Sequence, residues 1–142
     1  MQFKNKVVVI TGASSGIGRA LAYEFASHGA RIVMGARSEE KLQQIAADLK
    51  SRNTEVAYAP TDVTQEADCR RLIETAVTRF GGVDILICNA GISMRALFDE
   101  VDLNVLRRLM DVNFWGTVYC TKYALPYIQQ SRGSIVGVSS VA

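Results

Sequence analysis

The sequence has one histidine, two prolines and three cysteines, and it contains no apolar run long enough to cross a bilayer. His28 precedes Gly29, which is typical of a helix end, where a cation is favourable. Cys69, Cys88 and Cys120 have neither disulfide nor metal-ligand spacing, so we expect reduced thiols in a cytoplasmic protein and no metal site. The net charge is only +2 and the basic residues are scattered, which predicts no binding to nucleic acid or to membranes. The first six residues lack the pattern of a signal peptide.

What the sequence does contain is a regular alternation of apolar strands and amphipathic helices. Its 142 residues, 49% of them apolar, suit one globular domain. Apolar runs predict strands at residues 7–10, 32–34, 55–59, 85–87 and 134–138. Helical periodicity predicts helices around residues 17–25, 39–49 and 69–80, and two more between 99 and 130. This alternation predicts an α/β fold with a doubly wound, Rossmann-like parallel sheet of order 3-2-1-4-5 in three α/β/α layers.

Single residues mark how the predicted helices begin, end and pack. Ser38 is a favourable N-cap for the second helix, and Gly81 with Gly82 ends the third. Pro126 either ends or kinks the last helix. The buried stripe of the first helix is predicted to contain Ile17, Ala20, Leu21 and Phe25.

A glycine-rich loop stands between the first predicted strand and the first helix. Gly12 permits a tight turn, Gly16 lets the backbone approach a ligand, and Gly18 lets the helix lie close to the strand. Three glycines also occur in plain turns, but a strand before the loop and a helix after it favour binding of a pyrophosphate at the helix N-terminus. The predicted cofactor site here comprises Gly12, Ser14, Ser15, Gly16, Ile17 and Gly18.

Five motifs occur in one order along the whole chain. They are the Gly-x-x-x-Gly-x-Gly loop preceded by Thr11, then Asp62-Val63, Asn89-Ala90-Gly91, Asp111-Val112-Asn113, and Ser139-Ser140-Val141-Ala142. In this combination the sequence resembles the short-chain dehydrogenase/reductase family. The resemblance implies an NAD(P)-binding Rossmann-like domain over residues 1–142.

The resemblance also implies roles for these residues. Asp62 and Val63 would contact adenine, and Asn89, Ala90 and Gly91 would lie beside the cofactor. Asn113 would hold a water in a proton relay, and Ser140 would bond the substrate oxygen. Asp62 is also compatible with helix capping, and the Asn-Ala-Gly segment with a plain turn.

The positions of the motifs relative to the strands provide a separate physical argument. Gly12, Arg37, Asp62, Asn89 and Ser140 follow the first to the fifth predicted strands, respectively. Ligands of open α/β sheets bind beyond the carboxyl ends of the strands. We therefore expect all five residues at one rim of the sheet.

The end of the second strand indicates which cofactor is preferred. Ala36 occupies the position where NAD-preferring relatives carry an aspartate, and Arg37 follows it. A guanidinium binds a phosphate through two hydrogen bonds, and no carboxylate opposes it here. The sequence predicts NADP(H), with NAD the less favoured cofactor, unless Arg37 is merely a solvated residue.

The resemblance implies an NADP(H)-dependent oxidoreductase that transfers a hydride between the nicotinamide and a small carbonyl or alcohol substrate. The family's tyrosine–lysine pair, four residues apart, is absent from the 142 residues, because none of the five tyrosines has a lysine at that spacing. In the family this pair lies on the next helix, so we expect a domain incomplete at its C-terminus, after the fifth strand. The alternatives are a non-catalytic nucleotide-binding module and, by fold analogy, an enzyme acting on sugar nucleotides.

We also expect a homo-oligomer when the protein is full length, as family members commonly form. Tyr119, Tyr123 and Tyr127 are spaced four residues apart and either line such a surface or belong to the core.

Overall fold

A computed structural model of the chain describes residues 1–140 and shows one five-stranded parallel sheet. Val141 and Ala142, the end of the predicted serine segment, lie outside the described residues. The strand order is β3-β2-β1-β4-β5, so the predicted 3-2-1-4-5 topology is confirmed. The elements are β1 (Val7–Thr11), α1 (Gly16–Ser27), β2 (Arg31–Ala36), α2 (Glu39–Ser51), β3 (Val56–Pro60), α3 (Glu66–Phe80), β4 (Ile85–Cys88), α4 (Leu103–Met110), a π-helical turn (Asp111–Trp115), α5 (Gly116–Ser131) and β5 (Ser134–Gly137).

The central strand β1 divides the core into two layers. Its alternate residues point to opposite faces of the sheet, as strand geometry requires. Val7 and Val9 belong to a cluster with the apolar faces of α3 and α5, which include Leu72 and Cys120. Val8 and Ile10 belong to the other cluster, with residues of α1 and α2. Because both faces of the sheet are covered, the continuous apolar run of this strand is explained.

Helix α1 corrects one prediction. Ile17 is 62% exposed and Ala20 is also exposed, so neither belongs to a buried stripe. The helix is buried instead through Gly18 and Ala22, with Leu21 and Phe25 half-buried. Small residues let the helix axis lie close to β1, and this contact turns Ile17 toward solvent at the rim.

The predicted helix boundaries are largely confirmed. Ser38 caps α2, its Oγ accepting a hydrogen bond from Lys41 N at 3.3 Å. Gly81, with a φ of +86°, ends α3 in the left-handed region that glycine tolerates. The first of the two predicted helices in 99–130 begins at Leu103, and the chain is then helical through the π turn to Ser131. Pro126 lies inside α5 and does not end it.

Strand β5 lies at the edge of the sheet, paired in parallel with β4 from Ile85↔Ser134 to Cys88↔Gly137. All four of its residues are exposed, including Ile135 and Val136. Among residues 1–140, every helix is too short or too polar to qualify as a candidate membrane span.

Candidate nucleotide site

A pocket of about 360 Å³ opens at the carboxyl ends of the strands. Nine of the predicted site residues line it, from the ends of β1, β2, β3 and β4: Gly12, Ser14, Ser15, Arg37, Asp62, Val63, Asn89, Ala90 and Gly91. Gly16, Ile17, Gly18, Asn113 and Ser140 do not line it. Of the five residues expected at the rim of the sheet, four therefore line one pocket: Gly12, Arg37, Asp62 and Asn89. Ser140 is exposed beyond the same end of the sheet, since β5 runs parallel to β4.

The conformation of the glycine loop accounts for its glycines. Gly12 has a φ of +63°, and a Cβ there would lie 2.9 Å from Ala90 Cα. Gly16 has a φ of +54° and open space around it, which leaves its backbone accessible to a ligand. A Cβ on Gly18 would overlap Gly12 O and Asn89 Nδ2. Two of the glycines thus serve packing and the third keeps backbone exposed.

Thr11 and Asn89 lock the loop to the end of β4. The buried Thr11 Oγ1 accepts hydrogen bonds from Asn89 N at 3.0 Å and Ala90 N at 2.9 Å. In return, Asn89 Nδ2 donates to Thr11 O at 3.1 Å and Gly12 O at 3.2 Å. The Asn-Ala-Gly segment is therefore a brace for the glycine loop. A plain turn would not need these four bonds.

Asp62 uses only part of its hydrogen-bonding capacity within the chain. Its Oδ1 accepts from Thr64 N at 3.0 Å and Thr64 Oγ1 at 2.7 Å, so the capping interaction is present. Its backbone N donates to Asp68 Oδ2 at 2.9 Å. No donor within residues 1–140 reaches Oδ2. One carboxylate oxygen of Asp62 thus remains available to a donor in the pocket.

The charges around the pocket are mostly positive. Arg37, Lys41 and Arg108 line it, and Asp62 is its one acidic lining residue. In the part of the chain that the structure describes, none of the three cations forms a salt bridge. Burial raises the pKa of Asp62, but hydrogen bonds from Thr64 and the charges of Arg37 and Arg108 outweigh it, so its pKa lies below the usual value. An electropositive pocket of this kind attracts anionic ligands.

Asn113 lies exposed in the π-helical turn and contacts the pocket lining through Ile92. Its Oδ1 accepts from Ile92 N at 2.9 Å and its Nδ2 donates to Ile92 O at 2.8 Å. Ile92 lines the pocket directly after Asn89-Ala90-Gly91. The side chain therefore fixes the lining segment, and the π turn explains how Asn is accommodated inside a helix.

The three cysteines are buried, reduced thiols, as expected. Burial raises the pKa of Cys88, and hydrogen bonds with Thr121 and Thr117 offset this only in part. A hydrogen bond with Cys69, together with burial, raises the pKa of Cys120 far above its usual value. Thiols of this kind are unreactive. No group of three or more potential metal ligands occurs in residues 1–140.

A family model described as short chain dehydrogenase matches residues 6–142. The chain belongs to the short-chain dehydrogenase family. It is 47% identical over 137 residues to 11-beta-hydroxysteroid dehydrogenase A from Sesamum indicum, a match that covers 95% of this chain and 39% of that protein. The chain therefore spans about two-fifths of the length of that relative.

Solved short-chain dehydrogenase structures share the fold. An alcohol dehydrogenase from Thermococcus sibiricus complexed with 5-hydroxy-NADP has a TM-score of 0.92 and 32% identity, over 95% of this chain and 58% of that one. A short-chain dehydrogenase/reductase from Burkholderia phymatum in complex with NAD has a TM-score of 0.94 and 32% identity, over 99% and 51%.

Sequence reasoning missed six residues that line the pocket of this short-chain dehydrogenase: Ala36, Ser38, Lys41, Thr61, Arg108 and Val112. Two of them had detectable signals. Lys41 lies one helical turn after the N-cap Ser38, and Arg108 precedes Val112 of a recognised motif by four residues. Spacings of three and four place residues on one helical face. Ala36 and Val112 were quoted in the sequence argument without being assigned to the site.

Proposed function

We propose that this chain is the nucleotide-binding part of an NADP(H)-dependent oxidoreductase that acts on a carbonyl or alcohol substrate. The observation that carries the proposal is the pocket at the carboxyl rim of a doubly wound sheet, where a braced glycine loop meets one carboxylate and three cations that form no salt bridge within residues 1–140. Dinucleotides bind at this place in such folds.

The glycine loop is suited to the cofactor pyrophosphate. Gly16 begins α1, so the first N–H groups of the helix and its positive end face the open loop. α1 has no acidic residue in its first turn, and the side chain of its N-cap Ser15 makes no capping hydrogen bond. The amides there remain available to an anion.

The side of the pocket formed by β2 and α2 supports NADP over NAD. Ala36, Arg37, Ser38 and Lys41 line this side, and no carboxylate lines it. NAD-binding sites commonly place an acidic residue here to bind the ribose 2′-hydroxyl. Arg37 and Lys41 instead offer two positive charges to a 2′-phosphate, and a guanidinium binds phosphate through two hydrogen bonds.

Asp62 is the proposed ligand of the adenine amino group. Its Oδ1 is held by Thr64, which fixes the carboxylate and directs the remaining oxygen to an external donor. The lowered pKa keeps this group ionised, and therefore an acceptor, at neutral pH.

The hydride chemistry would be supplied by the nicotinamide when it is bound. The chain's own contribution to that step is positional. Asn113 fixes Ile92 on the pocket wall, and Ser140 is the proposed donor to the substrate oxygen beyond β5. Asn113 is also the proposed ligand of a water in the proton relay.

The names of the relatives support the proposed class of substrate. Proteins named 11-beta-hydroxysteroid dehydrogenase are 45–49% identical to this chain across plants such as Arachis hypogaea and Arabidopsis thaliana. Ketosteroids therefore belong first in a carbonyl panel, followed by smaller ketones and aldehydes. A second candidate is a nucleotide-binding module without turnover.

One experiment distinguishes the two candidates. The complete protein, as its gene encodes it, is titrated with NADPH and NADH by fluorescence and then assayed for carbonyl-dependent loss of NADPH absorbance. Saturable binding with turnover supports the oxidoreductase, and binding without turnover across the panel supports the module. If neither nucleotide binds, both candidates are wrong.

A further inference from the structure

We propose that Arg108 is a cofactor-binding residue whose guanidinium stacks on the adenine base at the outer end of the pocket. The proposal rests on the proposed function, because it names a further ligand of the same nucleotide. It assigns to α4 a role in holding the adenosine half of the cofactor.

The position of Arg108 is the first argument. Helix α4 follows β4 along the chain, yet it brings Arg108 into the same pocket as Asp62, which follows β3 at the opposite edge of the sheet. The positive charge of Arg108 is near enough to contribute to the lowered pKa of Asp62. It precedes Val112 by four residues, and both residues line the pocket. One face of this helix thus closes the adenosine end.

The second argument is that the guanidinium of Arg108 has no hydrogen-bond or salt-bridge partner among the described residues. It is exposed, and within residues 1–140 it makes neither a side-chain hydrogen bond nor a salt bridge. Its neighbour Arg107 instead donates from Nη1 to Asn104 Oδ1 at 3.1 Å. Arginines in a last helical turn often interact with free carbonyls. That explanation does not apply here, since the helix continues through Asp111 in right-handed helical conformation.

The chemistry of the surroundings matches adenine. Val63 and Val112 are each 8% exposed and form apolar walls of this end of the pocket, while Asp62 offers one acceptor oxygen for an amino group. A planar guanidinium at such a site can cover the face of an aromatic base through stacking and cation–π attraction. The phosphate-binding candidates, Arg37 and Lys41, come from a different wall, formed by β2 and α2.

The test compares Arg108→Ala with the matched control Arg107→Ala in the complete protein. The two residues are adjacent on one helix and carry the same charge, but only Arg108 lines the pocket. We expect Arg108→Ala to raise the Kd for NADPH and for NADH by the same factor, about 3- to 10-fold, as expected for loss of one stacking contact. Arg107→Ala leaves both values unchanged. Arg108→Lys keeps the charge without the planar group and recovers less than half of the loss on a logarithmic scale.

Each other outcome overturns the assignment. A loss confined to NADPH would make Arg108 a phosphate ligand, and full recovery in Arg108→Lys would make it a simple charge. Unchanged Kd values in Arg108→Ala, or an equal loss in Arg107→Ala, would remove it from the site. If the wild-type protein binds neither nucleotide, the proposed function fails first, and this result is distinct from all the others.

Discussion

Asn113 and Ile92 are joined side chain to backbone by two antiparallel hydrogen bonds of 2.9 and 2.8 Å. A Cβ on the nearby Gly91 would lie 3.3 Å from Asn113 Oδ1, so the fit between the π turn and the segment after β4 is close. One residue therefore couples the helix to the pocket wall.

Replacement of Asn113 by alanine removes both hydrogen bonds while leaving the Ile92 backbone groups partly solvated. We expect a loss of about 1–2 kcal/mol in the free energy of unfolding, measured by urea denaturation. We also expect a lower kcat with a smaller change in the KM for NADPH. Asn104→Ala, on α4 and outside the pocket lining, is the control. An unchanged kcat in a folded Asn113→Ala protein would contradict the positioning role.

Arg37 is predicted to determine cofactor preference. Arg37→Ala should raise the Kd for NADPH by about 10- to 100-fold, the range expected for charge-assisted hydrogen bonds, and leave the Kd for NADH nearly unchanged. Ala36→Asp should weaken NADPH binding as well, because it adds a carboxylate beside the 2′-phosphate. Lys50→Ala, in the last turn of α2 and away from the pocket, controls for loss of charge. Equal effects on both cofactors would refute the assignment.

Asp62 is predicted to distinguish adenine from hypoxanthine. The hypoxanthine analogue of NADPH presents an acceptor where adenine presents an amino donor, so it should bind about 10-fold more weakly to the wild-type protein. Asp62→Ala should weaken binding of NADPH and lose most of this discrimination. Competition titrations with the two nucleotides measure both effects. A variant that still distinguishes them would exclude Asp62 as the adenine ligand.

The same carboxylate should affect stability in a pH-dependent way. The folded-state pKa of Asp62 lies below 3.8, its unperturbed value. The unfolded chain therefore binds the proton more tightly than the folded chain, and the contribution of Asp62 to stability is present above that value. It is lost as pH falls through the lowered folded pKa. The stability difference between wild type and Asp62→Asn should thus be constant from pH 5 to 8 and shrink in acid, as followed by thermal unfolding at each pH.

Gly18 is predicted to be intolerant of any side chain. The Cβ of Gly18→Ala would overlap the backbone of Gly12 and the side chain of Asn89, and it would push α1 away from the loop. We expect a loss of about 1–3 kcal/mol in stability, typical of overpacking, together with weaker nucleotide binding. Gly82→Ala is the matched control, because nothing lies within 4 Å of its added Cβ. A stable Gly18→Ala protein with normal affinity would contradict the close contact.

The strand order could be predicted because each buried strand is a continuous apolar run and each crossover is a helix. The glycine loop could be predicted from its place between a strand and a helix, and Asp62 and Asn89 from motifs of the family. Their meeting at one rim could be predicted because the carboxyl ends of parallel strands lie at the same edge of the sheet. Arg108 was missed because its place in the pocket depends on how α4 crosses the rim. The predicted buried stripe of α1 was wrong because the buried residues of this helix are Gly18 and Ala22. Such small residues contribute little to a hydrophobic pattern in the sequence.

The π-helical turn also sets how far the buried face of α5 is rotated about the helix axis from the pocket-lining face of α4. Arg108, before the turn, and Val112, within it, line the pocket. After it, Cys120, Ala124 and Ile128 face the core. Such a turn contains one residue more than an α-helical turn would, and one residue corresponds to about 100° of rotation. Deleting a single residue between 111 and 115 would therefore turn α5 out of the core or α4 away from the nucleotide. We expect natural length variation in this family to avoid these five positions and to fall in the loop that precedes α4.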